Sequence, residues 1–147
     1  FGVPLEQDSK AEAQAAIEAA MEIKAGLEQL NKELLQDREP EMRVRMGIHS
    51  GEALVGSMGS AERIEYAVIG DSVNCASRLE SLDKNRHEGV LRVLLSSTTL
   101  ELLDPTFKNR LNLEYWGPVH VKGREEALEV SELKMDNAPE AAEATQP

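Results

Sequence analysis

The chain is poor in cysteine and in positive charge, and each shortage argues against a class of protein. Its 147 residues include a single cysteine, Cys75, so an internal disulfide is impossible, and no CxxC pair or Cys/His cluster forms a zinc site. The 16 basic and 27 acidic residues give a net charge of -11, which argues against partners held by a basic field, such as nucleic acid. These features fit a reducing, cytoplasmic setting.

Long hydrophobic runs are also missing. No stretch approaches the roughly 18 to 20 uninterrupted apolar residues that span a bilayer, and the N-terminus lacks the basic and apolar regions of a signal peptide. We therefore expect no direct membrane contact from this chain, while an anchor in a larger parent protein stays compatible with it. With 147 residues, 41% of them hydrophobic, the chain is long enough for one compact domain.

The first third of the chain predicts one long helix followed by a linker. Between Ser9 and about Gln36 apolar residues recur every three or four positions, which is typical of an amphipathic helix with one buried stripe. That stripe comprises Ala16, Ala20, Ile23, Leu27, Leu30 and Leu34. Pro40 and its charged neighbours end the helix, so residues 37–42 are predicted to link it to a different kind of structure.

The middle of the chain predicts three strands and a helix. Short apolar runs cover residues 44–49, 52–57 and 64–69, and Ser50-Gly51 predicts a tight turn between the first two. Asp71 or Ser72 is predicted to cap a helix that runs to about Leu82. Its apolar side would comprise Val73, Ala76 and Leu79.

The last third alternates strands and helices. We expect a buried strand at 90–95, a short helix at 96–103, extended segments at 111–116 and 119–121, and a last strand at 127–133. Residues 135–147 offer nothing with which to build a core, so they predict a disordered tail. The order of elements predicts an α+β or α/β layered sheet. Four methionines are expected in the core: Met21, Met42, Met46 and Met58.

One stretch, VRMGIHSGEALVGSMGSAERIEYAVIGDSVNCASRLE at residues 44–80, is the most informative. Asn74 and Arg78 are four residues apart on the predicted helix, so both side chains emerge from one face and can act on one ligand. A planar, permanently charged guanidinium suits phosphoryl transfer, where the protein mainly stabilises charge on oxygen. Without the surrounding motif, the same two residues are more typical of a solvated helix face.

This stretch resembles the class III adenylate and guanylate cyclases of bacterial or cyanobacterial type, which read GIHxG, then a glycine pair, then an aromatic followed by IGDxVNxAxR. The resemblance continues more weakly through VLLSSTTLELL and VKGREEALEV, and so reaches from residue 1 to about residue 133. It implies a ferredoxin-like α/β domain, an α+β sandwich with an antiparallel or mixed sheet flanked by helices. We assign that domain to residues 1–134.

The resemblance also implies roles for individual residues. Arg78 would stabilise the transition state, and Asn74 would orient the ribose. Lys122, in the VKG turn, matches the lysine that holds the terminal phosphates, although a lysine on such a turn is equally ordinary on a surface. Arg45 matches an arginine that approaches the triphosphate from the partner subunit.

Three further positions, Ala67, Val68 and Val73, match the part of the family motif that binds substrate. At Ala67, adenylate cyclases usually carry Asp or Thr, and guanylate cyclases carry Cys or a similar residue. Alanine neither accepts a hydrogen bond from the amino group of adenine nor donates one to O6 of guanine. Because the adenine acceptor is absent, we lean towards GTP as substrate, with ATP as the alternative.

The family uses two Mg²⁺ or Mn²⁺ ions, held by two aspartates that lie upstream of the residues present here. Phe1-Gly2 match the end of the GDxxMAxFG-type segment that carries the second aspartate. We therefore expect no metal ligands in this chain, and no turnover by these 147 residues alone.

The resemblance predicts a homodimer with shared active sites, in which the 3'-hydroxyl attacks the α-phosphate in line and pyrophosphate leaves. His49 and Ser50 are predicted to be structural, because adjacent strand residues point to opposite faces and no G-x-S-x-G elbow is present. Two alternatives remain open: a non-catalytic module that binds nucleotide or a partner domain, and a structural α/β domain whose match is accidental.

Overall fold

In the computed structural model, residues 1–2, 8–60, 63–86, 88–120 and 126–135 are described. They form α1 (Ser9–Gln36), β1 (Val44–Ile48), β2 (Leu54–Ser60), β3 (Arg63–Ile69), α2 (Asp71–Ser81), β4 (Leu91–Ser96), α3 (Ser97–Leu102), α4 (Pro105–Lys108), β5 (Leu113–Val119) and β6 (Leu128–Leu133). Within these ranges no helix combines the length and apolar character needed to cross a membrane. Lys122 and the predicted tail beyond residue 135 lie outside the described residues.

The strands form two sheets. The larger sheet has the order β1-β4-β6-β5, with β1 parallel to β4 and β6 antiparallel to both of its neighbours, and β2 pairs with β3 in an antiparallel hairpin. The α+β class with a mixed sheet flanked by helices is thereby confirmed. The predicted tight turn between the first two strands is wrong, because β1 and β2 belong to different sheets and residues 49–53 connect them.

The larger sheet carries a hydrophobic cluster on each face. On one face, Val93 and Leu95 of β4 pack with buried residues of α1, α3 and α4. On the other face, Leu94 packs with Cys75 and Leu79 of α2 and with two residues of β6. Alternate residues of a strand point to opposite faces, so β4 contributes to both clusters and all six of its residues are buried.

Helix α1 begins after Asp8, whose side chain accepts a hydrogen bond from the backbone N-H of Lys10. Its buried residues are Ala13, Ile17, Ala20 and Leu27. The predicted stripe is therefore partly wrong, since Ile23 is 43% exposed and Leu30 is also exposed. The buried face starts a turn earlier than predicted because α1 packs against α3 and β4.

Two further predictions are corrected. Met21, Met42 and Met58 are exposed, and of the four methionines only Met46 packs against the core. Met46 is covered because a helical layer packs over β1, whereas the other three side chains lie outside such a layer. In place of the two extended segments predicted at 111–116 and 119–121, the described residues form one strand, β5, at Leu113–Val119. Its register with β6 shifts between Tyr115 and Gly117, where Gly117 has a φ of 102°, a value that favours glycine.

Candidate active site

Helix α2 carries the candidate catalytic pair. Cys75 and Leu79 are its buried residues, and Asn74 and Arg78 each precede one of them, at the edge of the buried face. Asn74 is exposed and Arg78 is half-buried. Of the predicted apolar side, Leu79 is confirmed, but Val73 is 39% exposed, because the helix packs through the edge that Cys75 and Leu79 form.

Gly47 sets how closely α2 lies against β1. A Cβ added at Gly47 would lie 2.2 Å from the carbonyl oxygen of Ala76 and 2.6 Å from the backbone nitrogen of Glu80. Only glycine leaves room for a helix backbone at this distance. The GIHSG motif therefore contains a packing requirement that places the helix bearing Asn74 and Arg78.

The segment that joins β1 to β2 contacts the start of α2 and fixes its position. The helix is preceded by Gly70, which provides no side-chain cap, so the predicted cap by Asp71 or Ser72 is wrong. Ser72 Oγ instead donates a 2.6 Å hydrogen bond to the carbonyl oxygen of Glu52. A Cβ added at Gly70 would lie 3.0 Å from that same oxygen, so the backbone before α2 packs tightly against the backbone at Glu52.

Arg45 lies on β1 beneath the last turn of α2. Its Nε is 2.9 Å from Oε1 of Glu80, with both side chains partly exposed. Glu80 follows Arg78 by two residues, so the structure brings Arg45 close to the candidate catalytic helix. Lys122, the other predicted phosphate-binding residue, lies outside the described residues.

The positions matched to substrate binding lie on β3 and the first turn of α2. Ala67 pairs with Gly56 and Val68 pairs with Val55 across the hairpin, and the two side chains point to opposite faces. β3 leads through Gly70 into α2, so Ala67, Val68 and Val73 belong to one strand-helix unit with Asn74.

His49 and Ser50 connect the end of β1 to α3. His49 Nδ1 is 2.8 Å from Ser96 Oγ, and Ser50 Oγ donates to Thr99 Oγ1 at 3.0 Å. Ser96 and Thr99 are fully buried and 3.2 Å apart through their hydroxyl oxygens. The four side chains thus form a polar network that ties the β1–β2 connection to α3.

A metal site is not formed by the part of the chain that the structure describes. No group of three or more His, Cys, Asp or Glu side chains there is arranged to hold a metal ion. The two divalent cations that the sequence resemblance implies therefore have no ligand set among these residues.

The sequence reasoning missed Arg92, which is 1% exposed and is the second residue of β4. Its guanidinium donates hydrogen bonds to backbone carbonyls at the end of α2, including those of Glu80 and Leu82. The signal in the sequence was a charged residue inside the apolar run VLRVLLS. Such a residue is buried only where partners satisfy its charge and its donors.

Known proteins resemble this chain in sequence and in fold. The family described as "Adenylate and Guanylate cyclase catalytic domain" matches residues 1–133. Adenylate cyclase 1 of Rhizobium meliloti (strain 1021) is 36% identical over 121 residues, which are 82% of this chain and 17% of that relative. The chain therefore spans less than a fifth of this relative's length.

Two solved structures share the fold. The adenylyl cyclase CyaB from P. aeruginosa superimposes with a TM-score of 0.77 and 28% identity, covering 93% of this chain and 66% of that chain. The guanylyl cyclase Cya2 superimposes with a TM-score of 0.70 and 28% identity, covering 90% of this chain and 62% of that chain. Together with the match over residues 1–133, these likenesses show that the chain belongs to the adenylate and guanylate cyclase catalytic-domain family.

Proposed function

We propose that the protein containing this chain converts a purine nucleoside triphosphate into its 3',5'-cyclic monophosphate and pyrophosphate. The observation that supports this is the Asn74–Arg78 pair on α2, a helix held against β1 by the close approach at Gly47. We assign the domain to residues 1–134. Its metal-binding aspartates would come from a segment that is not part of these residues.

The chemistry proposed for the pair follows from the two side chains. The 3'-hydroxyl loses its proton to water as the bond from O3' to the α-phosphorus forms, while the bond to the pyrophosphate oxygen breaks in line. The Arg78 guanidinium stabilises the negative charge that develops on the phosphoryl oxygens, and the Asn74 amide orients the ribose. Arg45 and Lys122 would hold the triphosphate, Arg45 acting across a subunit interface.

Replacing Arg78 by alanine in the full-length protein tests the activity. We expect kcat for cyclic nucleotide formation to fall by about 10²- to 10³-fold, the usual cost of removing a donor to a developing oxyanion. Arg43→Ala, which removes an exposed arginine paired with Glu41, is the matched control and is expected to leave kcat unchanged. Equal activity of Arg78→Ala and the control, with both proteins folded, would contradict the proposal.

The non-catalytic alternative gives a different result in the same assay. A module that only binds nucleotide would bind ATP or GTP in calorimetry, while the wild-type protein would release no pyrophosphate with either Mg²⁺ or Mn²⁺. A module that binds only a partner domain would show neither nucleotide binding nor turnover.

We propose guanine as the base of the substrate, because Ala67 offers no hydrogen-bond acceptor for the amino group of adenine. ATP is the second candidate, since the Rhizobium relative is named an adenylate cyclase. Of the two solved structures, each 28% identical to this chain, one is named an adenylyl cyclase and the other a guanylyl cyclase. Assays with ATP and GTP side by side decide, and dominant cyclic AMP would overturn the choice of GTP.

A substitution sharpens that test. Ala67→Asp introduces an acceptor on the half-buried position opposite Gly56, so we expect the ratio of ATP to GTP turnover to rise by about tenfold or more. Leu35→Asp, which places the same group at a 77% exposed position at the end of α1, is the control and is expected to leave the ratio unchanged.

We also propose that two copies of the chain associate through the β2–β3 hairpin. Leu54, Met58, Tyr66, Val68 and Ile69 are all exposed, and they cover both faces of this two-stranded sheet. An isolated hairpin is marginally stable, and exposed apolar area of this kind is typical of an interface. A second copy is the occupant that the proposed shared active site requires.

Association is tested with two exposed leucines. Leu54→Asp lies in the hairpin at 75% exposure, and Leu35→Asp lies at the end of α1 at 77% exposure. We expect the first to weaken self-association by about tenfold or more and the second to leave it unchanged, measured by analytical ultracentrifugation. Dimers of equal affinity in both variants would place the interface elsewhere.

A further inference from the structure

Arg92 is the most deeply buried charged residue in the described part of the chain. It pairs in register with Arg45 of β1, and it lies on the same face of β4 as Leu94, two residues later. Leu94 packs against Cys75 and Leu79 of α2. The Arg92 side chain therefore enters the layer between the sheet and the helix that bears Asn74 and Arg78.

Four backbone carbonyls at and beyond the end of α2 accept hydrogen bonds from Arg92. Its Nη1 donates to the carbonyl oxygen of Asp83 at 2.6 Å and to that of Arg86. Its Nη2 donates to the carbonyl oxygen of Glu80 at 3.1 Å and to that of Leu82. One guanidinium thus binds the last turn of the helix and the turn that follows it.

Of these acceptors, the carbonyl of Glu80 lies in the last turn of α2 and that of Leu82 at its C-cap, where a helix leaves carbonyls unpaired. The last four carbonyls of an α-helix have no partner within the helix, and the helix dipole places partial negative charge there, which favours a cation. Arg92 meets both needs at once, although its Nε has no hydrogen-bond partner within the described residues. Removing only one partner of a buried, paired charge is strongly destabilising.

The surroundings fix the guanidinium further. Its carbon lies 5.4 Å from the centroid of the Trp116 ring, and the Arg86 guanidinium lies 4.1 Å from the same ring. Trp116 Nε1 donates to the carboxylate of Glu132, which is itself buried. Burial and the positive charge of Arg45 lower the pKa of Arg92, while the carboxylates of Glu132, Asp83 and Glu80 oppose this shift.

We propose that Arg92 is a positioning residue for catalysis, which holds the end of α2 so that Arg78 lies at the correct distance from the reacting phosphate. The inference rests on the proposed cyclase function. Glu80, whose carbonyl Arg92 binds, follows Arg78 by two residues. A shift of about 1 Å in a catalytic group is enough to lower a rate by about 10²-fold, so an arginine that touches no substrate can control kcat.

The test compares Arg92→Met, Arg92→Lys and the control Arg110→Met in the full-length protein. Arg110 follows α4 and packs over the ring of Phe107, which belongs to the cluster on the face of the sheet opposite α2. We expect Arg92→Met to lower kcat per folded molecule by about 10- to 100-fold with KM changed by less than about threefold. Arg92→Lys keeps the charge but loses the planar fork, so its kcat is expected to fall between those of Arg92→Met and wild type.

A double-mutant cycle separates positioning from general destabilisation. If Arg92 acts through Arg78, Arg92→Met has little further effect on the residual activity of Arg78→Ala. A merely structural loss would lower the activity of both backgrounds by the same factor. Hydrogen exchange measures the helix directly, and amides at residues 79–83 are expected to exchange faster in Arg92→Met while those of α3 stay at the wild-type rate.

Each outcome decides one of the two proposals. A wild-type protein without cyclase activity overturns the proposed function together with this inference. Wild-type activity with Arg92→Met equal to Arg110→Met overturns only the role of Arg92, as do additive losses in the cycle. If Arg92→Met does not fold, Arg92→Lys is read in the same cycle, and wild-type kcat with wild-type exchange at the end of α2 overturns the inference.

Discussion

Strand β4 and the β2–β3 hairpin are both built from short apolar runs, yet the fold treats them in opposite ways. β4 lies between two hydrophobic clusters, and each of its residues is buried. No described residue of the hairpin belongs to either cluster, and five of its large apolar side chains are exposed: Leu54, Met58, Tyr66, Val68 and Ile69. The difference lies in the layers around each strand, because α1 and α2 cover opposite faces of the sheet that contains β4.

This comparison shows what an apolar strand pattern leaves undetermined. The pattern predicts that a surface will be buried, but the covering layer can come from the same chain or from another one. For β4 the layer comes from this chain. For the hairpin we have proposed a second copy, so substitutions there are expected to act on association, and substitutions in β4 on folding.

Truncation of Leu94 is expected to have the largest effect. Leu94 is fully buried on the α2 side of β4, so Leu94→Ala removes contacts and leaves a cavity. We expect a loss of about 2 to 5 kcal/mol in the free energy of unfolding, measured by urea denaturation. Leu54→Ala, at 75% exposure in the hairpin, is expected to change it by less than about 0.5 kcal/mol under monomeric conditions.

The ratio of these two losses of unfolding free energy tests whether the hairpin is covered by its own chain or by a second one. Equal destabilisation by Leu94→Ala and Leu54→Ala at low protein concentration would show that the hairpin is packed within its own chain. A loss at Leu54 that appears only at high concentration would show that its cover is a second molecule, because the stability of an associating protein depends on concentration.

The next largest effect is expected at Gly47. Gly47→Ala places a Cβ 2.2 Å from the carbonyl oxygen of Ala76, so the backbone of α2 has to move away from β1. We expect a loss of about 1 to 3 kcal/mol in unfolding free energy, the usual cost of overpacking. The activity is expected to fall as well, since the helix carries Asn74 and Arg78.

The hairpin supplies the matched control for Gly47. A Cβ at Gly56 would meet no atom within 4 Å, so Gly56→Ala is expected to leave unfolding close to wild type. Both variants add one methyl group to a strand glycine, and they differ in whether a helix covers it. Similar thermal midpoints for the two proteins would contradict the close approach of α2 to β1.

Local sequence signals predicted most elements of this fold but not their pairing. The bounds of α1, the buried strand β4 and the helix α2 follow from the spacing of apolar residues, although the cap predicted for α2 was wrong. The tight turn expected at Ser50-Gly51 failed because strand pairing is non-local. β1 is parallel to β4, more than 40 residues later along the chain, and nothing in the intervening apolar runs specifies that choice.

The candidate site shows the same limit. Spacing on a helix predicted that Asn74 and Arg78 share a face, since four residues make about one turn. The contacts that hold this helix join it to distant strands, through Arg45 to Glu80 and through Arg92 to the helix end. Such contacts depend on the register of β1 with β4, so sequence reasoning saw Arg45 only through a family resemblance and missed Arg92.

A smaller effect is expected from removing the Arg45–Glu80 ion pair, which joins β1 to α2 on the face of the sheet that α2 covers. Glu80→Gln removes a carboxylate that faces Arg45 and also opposes the lowering of the Arg92 pKa. Because both partners are partly exposed, we expect a loss of only about 0.5 to 1 kcal/mol in unfolding free energy, and a smaller loss in high salt.

Glu41→Gln is the control for this pair. Glu41 is 2.8 Å from Arg43 in a more exposed ion pair ahead of β1, so its removal is expected to have almost no effect. If both variants lose the same stability and show the same salt dependence, the Arg45–Glu80 pair contributes nothing beyond an ordinary surface pair.

The smallest expected effect is a pH dependence in the layer that covers β4 on the α1 side. Asp104 precedes α4, and its carboxylate accepts hydrogen bonds from the backbone N-H groups of Thr106 and Phe107, which lower its pKa below the ordinary value of 3.8. A lowered pKa in the folded state means that this contribution to stability is complete above the ordinary pKa and is lost as the pH falls through the folded value.

Phe107, at the end of this cap, packs in the same cluster as Val93 and Leu95 of β4. Asp104→Asn keeps an acceptor at the cap but cannot titrate, so we expect its urea midpoint to fall less steeply than that of wild type between about pH 5 and about pH 3. Hydrogen exchange is expected to show this loosening at α4 and not in the hairpin. Identical slopes for the two proteins would mean that acid acts on the covered sheet through other carboxylates, because the Asp104 cap would then make no pH-dependent contribution.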